Sequence, residues 1–333
     1  MAPLRHYPRG MAVGSLFALA AGLMWGLVFI GPLLLPDYPA ALQTFGRYLA
    51  FGLIALPLAW LDRRRMAQLN RADWLAAAKL GLVGNIIYYG FLSSAIGRAG
   101  GPLPTMIIGT LPVMIAVTSQ LRRPAAGQRP GGGLAWRALA PSLLLIGAGI
   151  ACVNQAEWAQ LRADPAAGLA PDAGNHSLGA LLALGALACW TWYPIHNADW
   201  LRAHPERSPR AWATAQGVAT LPLALLGYGL FWAWSAASGS AFVMPLGPRP
   251  AVFVCLMLAI GLLASWLGTL CWNEASQRLP TALVGQLIVF ETLAALGYAL
   301  LLRGTRPPLL TGIGALLLVA GVVWALRKPP APV

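Results

Sequence analysis

The amino-acid sequence predicts an all-α integral membrane protein, in which ten transmembrane helices form two inverted five-helix repeats. Composition is the first observation behind this prediction: 58% of the 333 residues are hydrophobic and 10% are charged, whereas soluble domains carry roughly 25% charged residues. The second observation is that the apolar residues form ten long runs, and the third is that the last five runs repeat the first five. Most of the protein surface therefore faces lipid.

The ten apolar runs approach the roughly 20 residues that a helix needs to cross the hydrocarbon core of a membrane. Strands of a membrane barrel would alternate in polarity over about ten residues, whereas these runs are apolar on all sides. Several runs begin at a proline, which suits the first turn of a helix. The predicted transmembrane helices are Met11–Leu35, Pro39–Trp60, Trp74–Ile96, Pro102–Leu121, Ala138–Val153, Ser177–Asn197, Ala211–Trp234, Pro250–Trp272, Pro280–Leu302 and Pro308–Leu326.

The positively charged residues predict how the helices are oriented. With the N-terminus inside, the cytoplasmic segments hold sixteen of the 23 Lys and Arg residues and the outer loops hold five, while Arg47 and Lys79 lie within helices. This asymmetry follows the positive-inside rule and predicts that both termini are cytoplasmic. Because it also accounts for the net charge of +13, we expect the lipid bilayer, and no nucleic acid, as the partner of these cations.

The chain repeats itself, with the first repeat over residues 11–153 and the second over residues 177–326. Leu16–Ile30 aligns with Leu181–Ile195 at an offset of 165 residues, and the same offset continues into the next helix. Helices four and nine align at an offset of 176, and helices three and eight align more weakly at 180. Since each repeat has an odd number of helices, the second must enter the membrane upside down. Such inverted repeats are typical of secondary transporters, whose binding site lies near the midplane.

Four features follow one another along the chain: Trp25-Gly26 late in the first helix, Arg47 early in the second, Pro112 in the fourth, and the run LLTGIGALLLVAGVVWAL in the tenth. In these features the chain resembles the drug/metabolite transporter superfamily, in its EamA-type branch of two five-helix units. The stretch VFETLAALGYALLLRG resembles the YddG-type aromatic amino acid exporters, although Ile288 stands where the family often has proline. The resemblance implies a bacterial inner (plasma) membrane protein that exports aromatic or other neutral amino acids by alternating access through a central cavity.

Two ionisable residues deep in the predicted helices are candidates for binding a solute. Such a residue costs about 2.5–3.5 kcal/mol on insertion scales, so its presence asks for a compensating role. Glu291 would couple transport to a proton, bind a substrate ammonium or act as a structural acceptor between helices. Arg47 would bind a substrate carboxylate or pair with Glu291. The sequence leaves these alternatives open.

Polar and aromatic residues in other helices complete the candidate site. The spacing of Asn85, Tyr88 and Tyr89 puts them on one helix face, where they line a cavity or bond to neighbouring helices. Trp25 and Trp190 occupy matching positions in the two repeats and predict an aromatic cavity wall or gate, the other aromatic residues lining the same cavity or belonging to the interfacial belts. The predicted substrate-binding residues are Trp25, Arg47, Asn85, Tyr88, Tyr89, Thr110, Trp190, Tyr193, Trp266, Gln286 and Glu291.

Several motifs of other protein classes are absent from the sequence. It contains no GxxxxGK[ST] loop of an ATP-driven motor, and no HExxH, GxSxG or Cys/His cluster with metal-ligand spacing. We therefore predict a protein that is not an enzyme and that uses no cofactor and no metal.

Three functional hypotheses remain. The first is a secondary exporter of a small, amino acid-like substrate, and the second keeps the fold but exchanges the solute for a nucleotide sugar or a cationic drug. Deep cations would favour an anionic solute. The third is a membrane enzyme or scaffold, which would need converging acid, base or metal ligands. Glycines in helices five and ten permit close helix contact and would support a homodimer.

Overall fold

The computed structural model describes residues 7–99, 102–121, 136–163, 173–304 and 307–327. Throughout this part of the chain the regular structure is helical, as predicted. The α-helices are α1 (Tyr7–Gly26), α2 (Ile30–Leu34), α3 (Ala40–Leu61), α4 (Arg63–Met66), α5 (Arg71–Gly81), α6 (Tyr88–Ala99), α7 (Pro102–Gly109), α8 (Leu111–Leu121), α9 (Trp136–Ala163), α10 (Ala173–Ala203), α11 (Pro209–Ala237), α12 (Pro250–Ile260), α13 (Gly268–Arg278), α14 (Thr281–Leu287), α15 (Val289–Arg303) and α16 (Leu309–Arg327). A 3₁₀ turn at Leu27–Phe29 joins α1 to α2, and the π-helical segments Leu82–Ile87 and Gly261–Leu267 join α5 to α6 and α12 to α13.

Seven helical segments in the described part of the chain are long and apolar enough to cross a membrane. They are Gly10–Phe29, Ala40–Leu61, Arg71–Ala99, Ser177–Ala203, Pro209–Ala237, Pro250–Arg278 and Leu283–Leu302, and two shorter apolar helices cover Ala140–Ala156 and Leu309–Ala325. Large apolar side chains are exposed on these helices, among them Leu144, Leu181 and Leu301 at 73%, 65% and 80% exposure. The prediction of an all-α membrane protein is thereby confirmed, because helices carrying such a surface are stable only in lipid.

The observed helices depart from the predicted spans in three places. The predicted span Pro102–Leu121 is divided at Thr110, two residues before Pro112, whose missing N–H interrupts helical hydrogen bonding. The span Pro280–Leu302 is divided at Ile288, although no proline stands there. Helix α9 is longer than predicted, because the sequence AEWAQLRA that follows its apolar run is rich in helix-forming residues.

Several helix ends are fixed by side chains that the sequence places there. Asn70 and Asp73 form a reciprocal capping box at the start of α5, with hydrogen bonds of 2.9 and 3.0 Å. The Ser208 side chain caps α11, whose first residue is Pro209. Gly304 ends α15 at a φ of 61°, a left-handed conformation that glycine adopts without strain.

Both π-helical segments lie where a glycine allows two helices to approach closely. A Cβ on Gly81 would lie 2.3 Å from the Thr220 Oγ1 atom of α11. A Cβ on Gly261 would lie 2.7 Å from the Ala50 Cβ atom of α3. Turns of π-helix are rare in proteins and recur at functional sites. The helix surfaces beside these two segments are therefore candidates for the functional site.

Helices from the first half of the chain pack extensively on helices from the second half. Extensive contacts join α3 with α11, α9 with α16, α6 with α10, α1 with α13 and α8 with α14. Gly149 and Gly314 allow α9 and α16 to meet, because a Cβ on either would lie 2.8 Å from the carbonyl oxygen of the other. The Ser142 hydroxyl also donates to the Gly321 carbonyl at 3.0 Å. These glycines are thus used within the chain, and the homodimer inferred from them stays a prediction.

Ion pairs join the connections between helices at both ends of the protein. At one end, Arg249 pairs with Asp37 and links the α11–α12 connection to the α2–α3 connection. At the opposite end, Arg210 pairs with Asp62 at 2.8 Å and links α11 to the α3–α4 connection. The two ion pairs thus lie at opposite ends of α3 and of α11.

The contact between α9 and α16 gives a test of the fold. Changing Gly149 to alanine places a Cβ 2.8 Å from the Gly314 carbonyl oxygen, whereas a Cβ on Gly147 meets nothing within 4 Å. Because overpacking a tight contact costs about 1–3 kcal/mol, we expect Gly149→Ala to lower the melting temperature of the purified protein by several degrees. Gly147→Ala is the matched control and should leave it unchanged. Equal melting temperatures of the two variants would contradict the contact.

Candidate functional site

Five aromatic side chains meet in the interior of the protein. Trp190 stacks on Tyr88 with ring centroids 4.5 Å apart and on Tyr193 with centroids 5.2 Å apart. Trp25 meets Trp190 edge-on at 5.2 Å and lies 5.0 Å from Trp272. All five side chains are buried, and we call them the aromatic cluster. The structure thus brings together four of the predicted site residues and adds Trp272.

Glycines in or beside the π-helical segments make room for the aromatic cluster. A Cβ on Gly84 would lie 2.2 Å from the Tyr193 Cδ2 atom, and a Cβ on Gly268 would lie 2.8 Å from the Trp25 Nε1 atom. Gly84 belongs to the first π-helical segment, and Gly268 follows the second directly. Both segments therefore adjoin the cluster, and a larger residue at either glycine would displace an aromatic ring.

Arg47 lies in the interior of α3, where its side chain is only 7% exposed. Its Nε atom donates a hydrogen bond to the Ser265 hydroxyl at 2.9 Å. The guanidinium carbon lies 4.9 Å from the Tyr48 ring centroid and 5.4 Å from the Tyr89 ring centroid, which are cation–π distances. Of the five N–H donors of a guanidinium, the described part of the chain pairs only that of Nε, so the others remain available to a ligand.

Glu291 provides a carboxylate in the same region. It lies in the first turn of α15 and is 8% exposed, and a helix N-terminus favours a negative charge. Its carboxylate interacts electrostatically with Arg47 and with the nearby indole N–H of Trp190. Within the described residues, however, the two charges form no direct ion pair, and the Trp190 Nε1 atom makes no hydrogen bond of normal geometry.

Tyrosine side chains surround both charges. Tyr48, Tyr88 and Tyr89 interact electrostatically with Arg47, and Tyr88 interacts with Glu291 as well. One interior region therefore combines a cation, an anion and aromatic surfaces. Chemically, this combination can hold a solute that has one negative group, one positive group and an apolar or aromatic body.

An amide network that the sequence does not predict as a unit adjoins the aromatic cluster. The Asn197 Oδ1 atom accepts hydrogen bonds from Trp212 Nε1 at 2.9 Å and Gln216 Nε2 at 3.0 Å, and Asn197 Nδ2 donates to Asn273 Oδ1 at 2.8 Å. The Tyr193 hydroxyl donates to Gln216 Oε1 at 2.8 Å. The sequence signal was the presence of amides inside apolar runs, but it does not reveal which side chains from three helices meet.

Besides Tyr193, two predicted site residues form hydrogen bonds to α11. Asn85 Nδ2 donates to Thr220 Oγ1 at 3.2 Å, and Trp266 Nε1 donates to Thr214 Oγ1 at 3.1 Å. Both donors lie on the π-helical segments. These bonds join neighbouring helices. For Asn85, this is the second of the two roles that the sequence left open, namely bonding to a neighbouring helix.

The last two predicted residues, Thr110 and Gln286, lie at or near the breaks in the divided helices. The Thr110 hydroxyl donates to the Ile107 carbonyl at 2.7 Å, and the Thr110 backbone N–H donates to the same oxygen at 3.1 Å. Thr110 is exposed in a groove of about 560 Å³ between α7 and α9, which no residue of the aromatic cluster lines. Gln286 is 1% exposed, and its Nε2 atom has no hydrogen-bond partner among the described residues.

A second groove, of about 330 Å³, lies between α8 and α10. Neither groove is lined by Arg47, Glu291 or the aromatic cluster, so the charged region is separate from both. In the part of the chain that the structure covers, no three His, Cys, Asp or Glu side chains converge as a metal site would require.

Comparisons with known proteins connect this site to a family. Residues 12–123 match the EamA-like transporter family. Inner membrane protein YtfF of Escherichia coli (strain K12) is 54% identical over 320 residues, which cover 96% of this chain and 97% of that protein. A crystal structure at 19% sequence identity superposes with a TM-score of 0.65 over 94% of this chain and 96% of its own, a likeness of fold alone. The chain is a membrane protein with the features of a transporter rather than an enzyme, and it belongs to the EamA-like transporter family.

Proposed function

We propose that this chain is a secondary transporter that exports amino acids with aromatic or other neutral side chains. The observation that carries this proposal is the burial of one cation and one carboxylate beside the aromatic cluster. Arg47 is the one buried cation among the side chains that the structure describes, and Glu291 interacts with it without pairing directly. A zwitterion has the complementary pair of charges.

Each group of an amino acid has a partner of suitable chemistry in this site. The substrate carboxylate takes the free N–H groups of Arg47, whose planar fork suits bidentate bonding. The ammonium lies near Glu291 and against the aromatic rings, where cation–π attraction adds to the charge pairing. The side chain of the substrate stacks on Trp25 or Trp190, which favours aromatic side chains. A bound zwitterion also compensates both buried charges: its carboxylate neutralises Arg47 and its ammonium neutralises Glu291.

Two other solute classes make a weaker match. A nucleotide sugar carries phosphates, which call for several cations, and the described interior offers Arg47 alone. An organic cation is the second candidate, because Glu291 and the aromatic cluster would accept it. An organic cation, however, would not use the unpaired N–H donors of Arg47. A substitution of Arg47 should therefore weaken binding of an amino acid but not of an organic cation.

The packing supports ten membrane-crossing segments in two inverted repeats. We assign α1, α3, α5–α6, α7–α8 and α9 to the first repeat and α10, α11, α12–α13, α14–α15 and α16 to the second. A two-fold axis that relates the repeats requires the contact of α1 with α13 to be mirrored by one of α10 with α6, and both contacts are extensive. It maps the contacts of α3 with α11 and of α9 with α16 onto themselves.

The two π-helical segments give independent support for the repeat. Gly81 and Gly261 match at the offset of 180 residues, and the π-helical segments begin at Leu82 and at Gly261. A rare local geometry thus recurs in the two halves at positions that match to within one residue. In the proposed mechanism the repeats exchange conformations, and the contact between Trp25 and Trp190 must part before a solute reaches Arg47.

The roles of the charged residues are testable with related solutes. We expect proteoliposomes of the native chain to accumulate tryptophan saturably, and Arg47→Gln to weaken tryptophan binding by about 10- to 100-fold, the range expected for a hydrogen bond to a charged group. Tryptamine lacks the carboxylate, so the same variant should bind it as tightly as the native chain does. Lys79→Gln removes an exposed intramembrane cation and serves as the matched control, with tryptophan transport unchanged.

The same assay contains the outcomes that contradict the proposal. Transport of tryptamine but not tryptophan by the native chain would favour the organic cation. Equal losses in Arg47→Gln and Lys79→Gln, in preparations that elute as folded protein, would remove Arg47 from the site. No uptake of tryptophan, phenylalanine or threonine by folded native protein would refute the amino acid assignment.

Glu291 is the candidate group for coupling export to protons. We expect an acidic liposome interior to increase tryptophan uptake by the native chain, since protons then leave as the solute enters. Glu291→Gln should abolish this dependence on the pH gradient, because an amide cannot carry the proton. Gln286→Glu in the Glu291→Gln background tests whether a nearby carboxylate restores it. Equal uptake by the native chain with and without the pH gradient would indicate facilitated diffusion.

The orientation is testable by cysteine labelling in intact cells. The proposal places both termini in the cytoplasm of a cell with this protein in its inner membrane, and hence the C-terminus of α11 outside and the loop after α4 inside. A membrane-impermeant maleimide should label Ala237→Cys in intact cells and Ala67→Cys only after permeabilisation. Both positions are exposed. The native chain, with its four cysteines, is the background control, and the reverse pattern would invert the topology.

A further inference from the structure

The groove between α8 and α10 has polar groups at its base and an apolar wall. Its lining residues are Met114, Thr118, Leu184, Leu187, Ala188, Thr191, Trp192, Ile195 and His196. Its volume of about 330 Å³ lies at the small end of the range for ligand sites. The groove lies at the seam between a helix of the first half of the chain and a helix of the second.

The groove is continuous with a surface that faces lipid. Leu181 and Leu184 of α10 are 65% and 51% exposed, and Met114 of α8 is 39% exposed. Spacings of three and four residues place Leu181, Leu184 and Ala188 along one face of α10. An acyl chain of the surrounding bilayer can therefore lie along this face and extend into the groove.

Two polar groups of the groove lack partners. Thr191 is 8% exposed, and its hydroxyl has no hydrogen-bond partner among the described residues. His196 directs its Nδ1 atom to the Trp192 carbonyl at 2.8 Å, so that nitrogen must carry the proton. The ring also stacks on Trp192 with centroids 4.2 Å apart. In the neutral ring the opposite nitrogen, Nε2, is consequently an acceptor that points away from the helix backbone.

His196 lies near the C-terminal end of α10. Arg202 follows six residues later and pairs with Asp199 at the helix end. At 1.5 Å per residue, His196 lies about 9 Å from that charged end along the helix axis. Trp192 beside it is an amphipathic aromatic residue of the kind enriched at membrane interfaces. A headgroup can therefore reach His196 while its acyl chain occupies the apolar wall.

We propose that the groove between α8 and α10 binds a phospholipid whose headgroup donates hydrogen bonds, as the primary ammonium of phosphatidylethanolamine does. The ammonium donates to the Nε2 atom of His196, and an acyl chain follows Leu187, Leu184 and Leu181. Phosphatidylcholine has the same charges, but its quaternary ammonium has no N–H to donate. The site thus distinguishes two common headgroups by one hydrogen bond. It does not depend on which solute the protein transports.

The test compares the two headgroups on identical acyl chains. Delipidated native chain in detergent is titrated with palmitoyl-oleoyl phosphatidylethanolamine or phosphatidylcholine, and the bound lipid is counted by native mass spectrometry. One hydrogen bond from a charged donor predicts about 10- to 100-fold tighter binding of the ethanolamine lipid. His196→Phe keeps a ring to stack on Trp192 and should equalise the two lipids. Thr191→Val, nearly isosteric, leaves His196 in place and should preserve the preference.

His204→Phe is the matched control for the histidine. His204 lies further along the same helix, stacks on Trp200 and has its Nε2 atom 3.8 Å from Asp73 Oδ1, outside the groove, so this variant should retain the preference. Equal binding of both lipids to the native chain would overturn the proposal. A preference that survives His196→Phe, or one that disappears equally in His204→Phe, would also overturn it, since the discrimination would then arise elsewhere.

Discussion

Inside hydrocarbon, a backbone amide or carbonyl has no water to bond to, and the architecture of this chain follows from that constraint. Continuous helices satisfy it without help, and every departure from them needs a compensating group. The break at Thr110 has one in the threonine hydroxyl, which bonds to the Ile107 carbonyl. At Ile288 the amide of Glu291 bonds to the Ile288 carbonyl.

Hydrogen bonds between side chains supply the specificity that hydrophobic burial cannot supply in a membrane, where the lipid is as apolar as the protein core. Helix α11 has most of these bonds. Its residues Thr214, Gln216 and Thr220 are buried and receive donors from a tryptophan, a tyrosine and an asparagine on other helices. Further along α11, Leu225, Leu226 and Leu230 are exposed. One helix thus divides a polar interior from the lipid phase and fixes the register of its neighbours.

How far the sequence predicts this structure depends on whether a feature shows within one helix or only between helices. The sequence reveals Arg47 and Glu291 because a charged residue inside an apolar run is costly and so indicates a specific role. It reveals Trp25 and Trp190 because the internal repeat aligns them. The sequence pattern does not predict the π-helical segments, because a run that is apolar on all sides has no helical periodicity in which an extra residue could be detected. Asn197 was missed because it closes the predicted span Ser177–Asn197 and its partners come from two other helices.

The buried pair of opposite charges also has a consequence for energetics at the cellular scale. Moving one elementary charge across a membrane potential of 100 mV involves about 2.3 kcal/mol. Arg47 and Glu291 together contribute no net charge, and a zwitterion between them adds none. Alternation of the loaded and the empty protein would then perform no electrical work, so the membrane voltage would neither drive nor oppose the cycle. Any voltage sensitivity would have to come from a proton carried by Glu291.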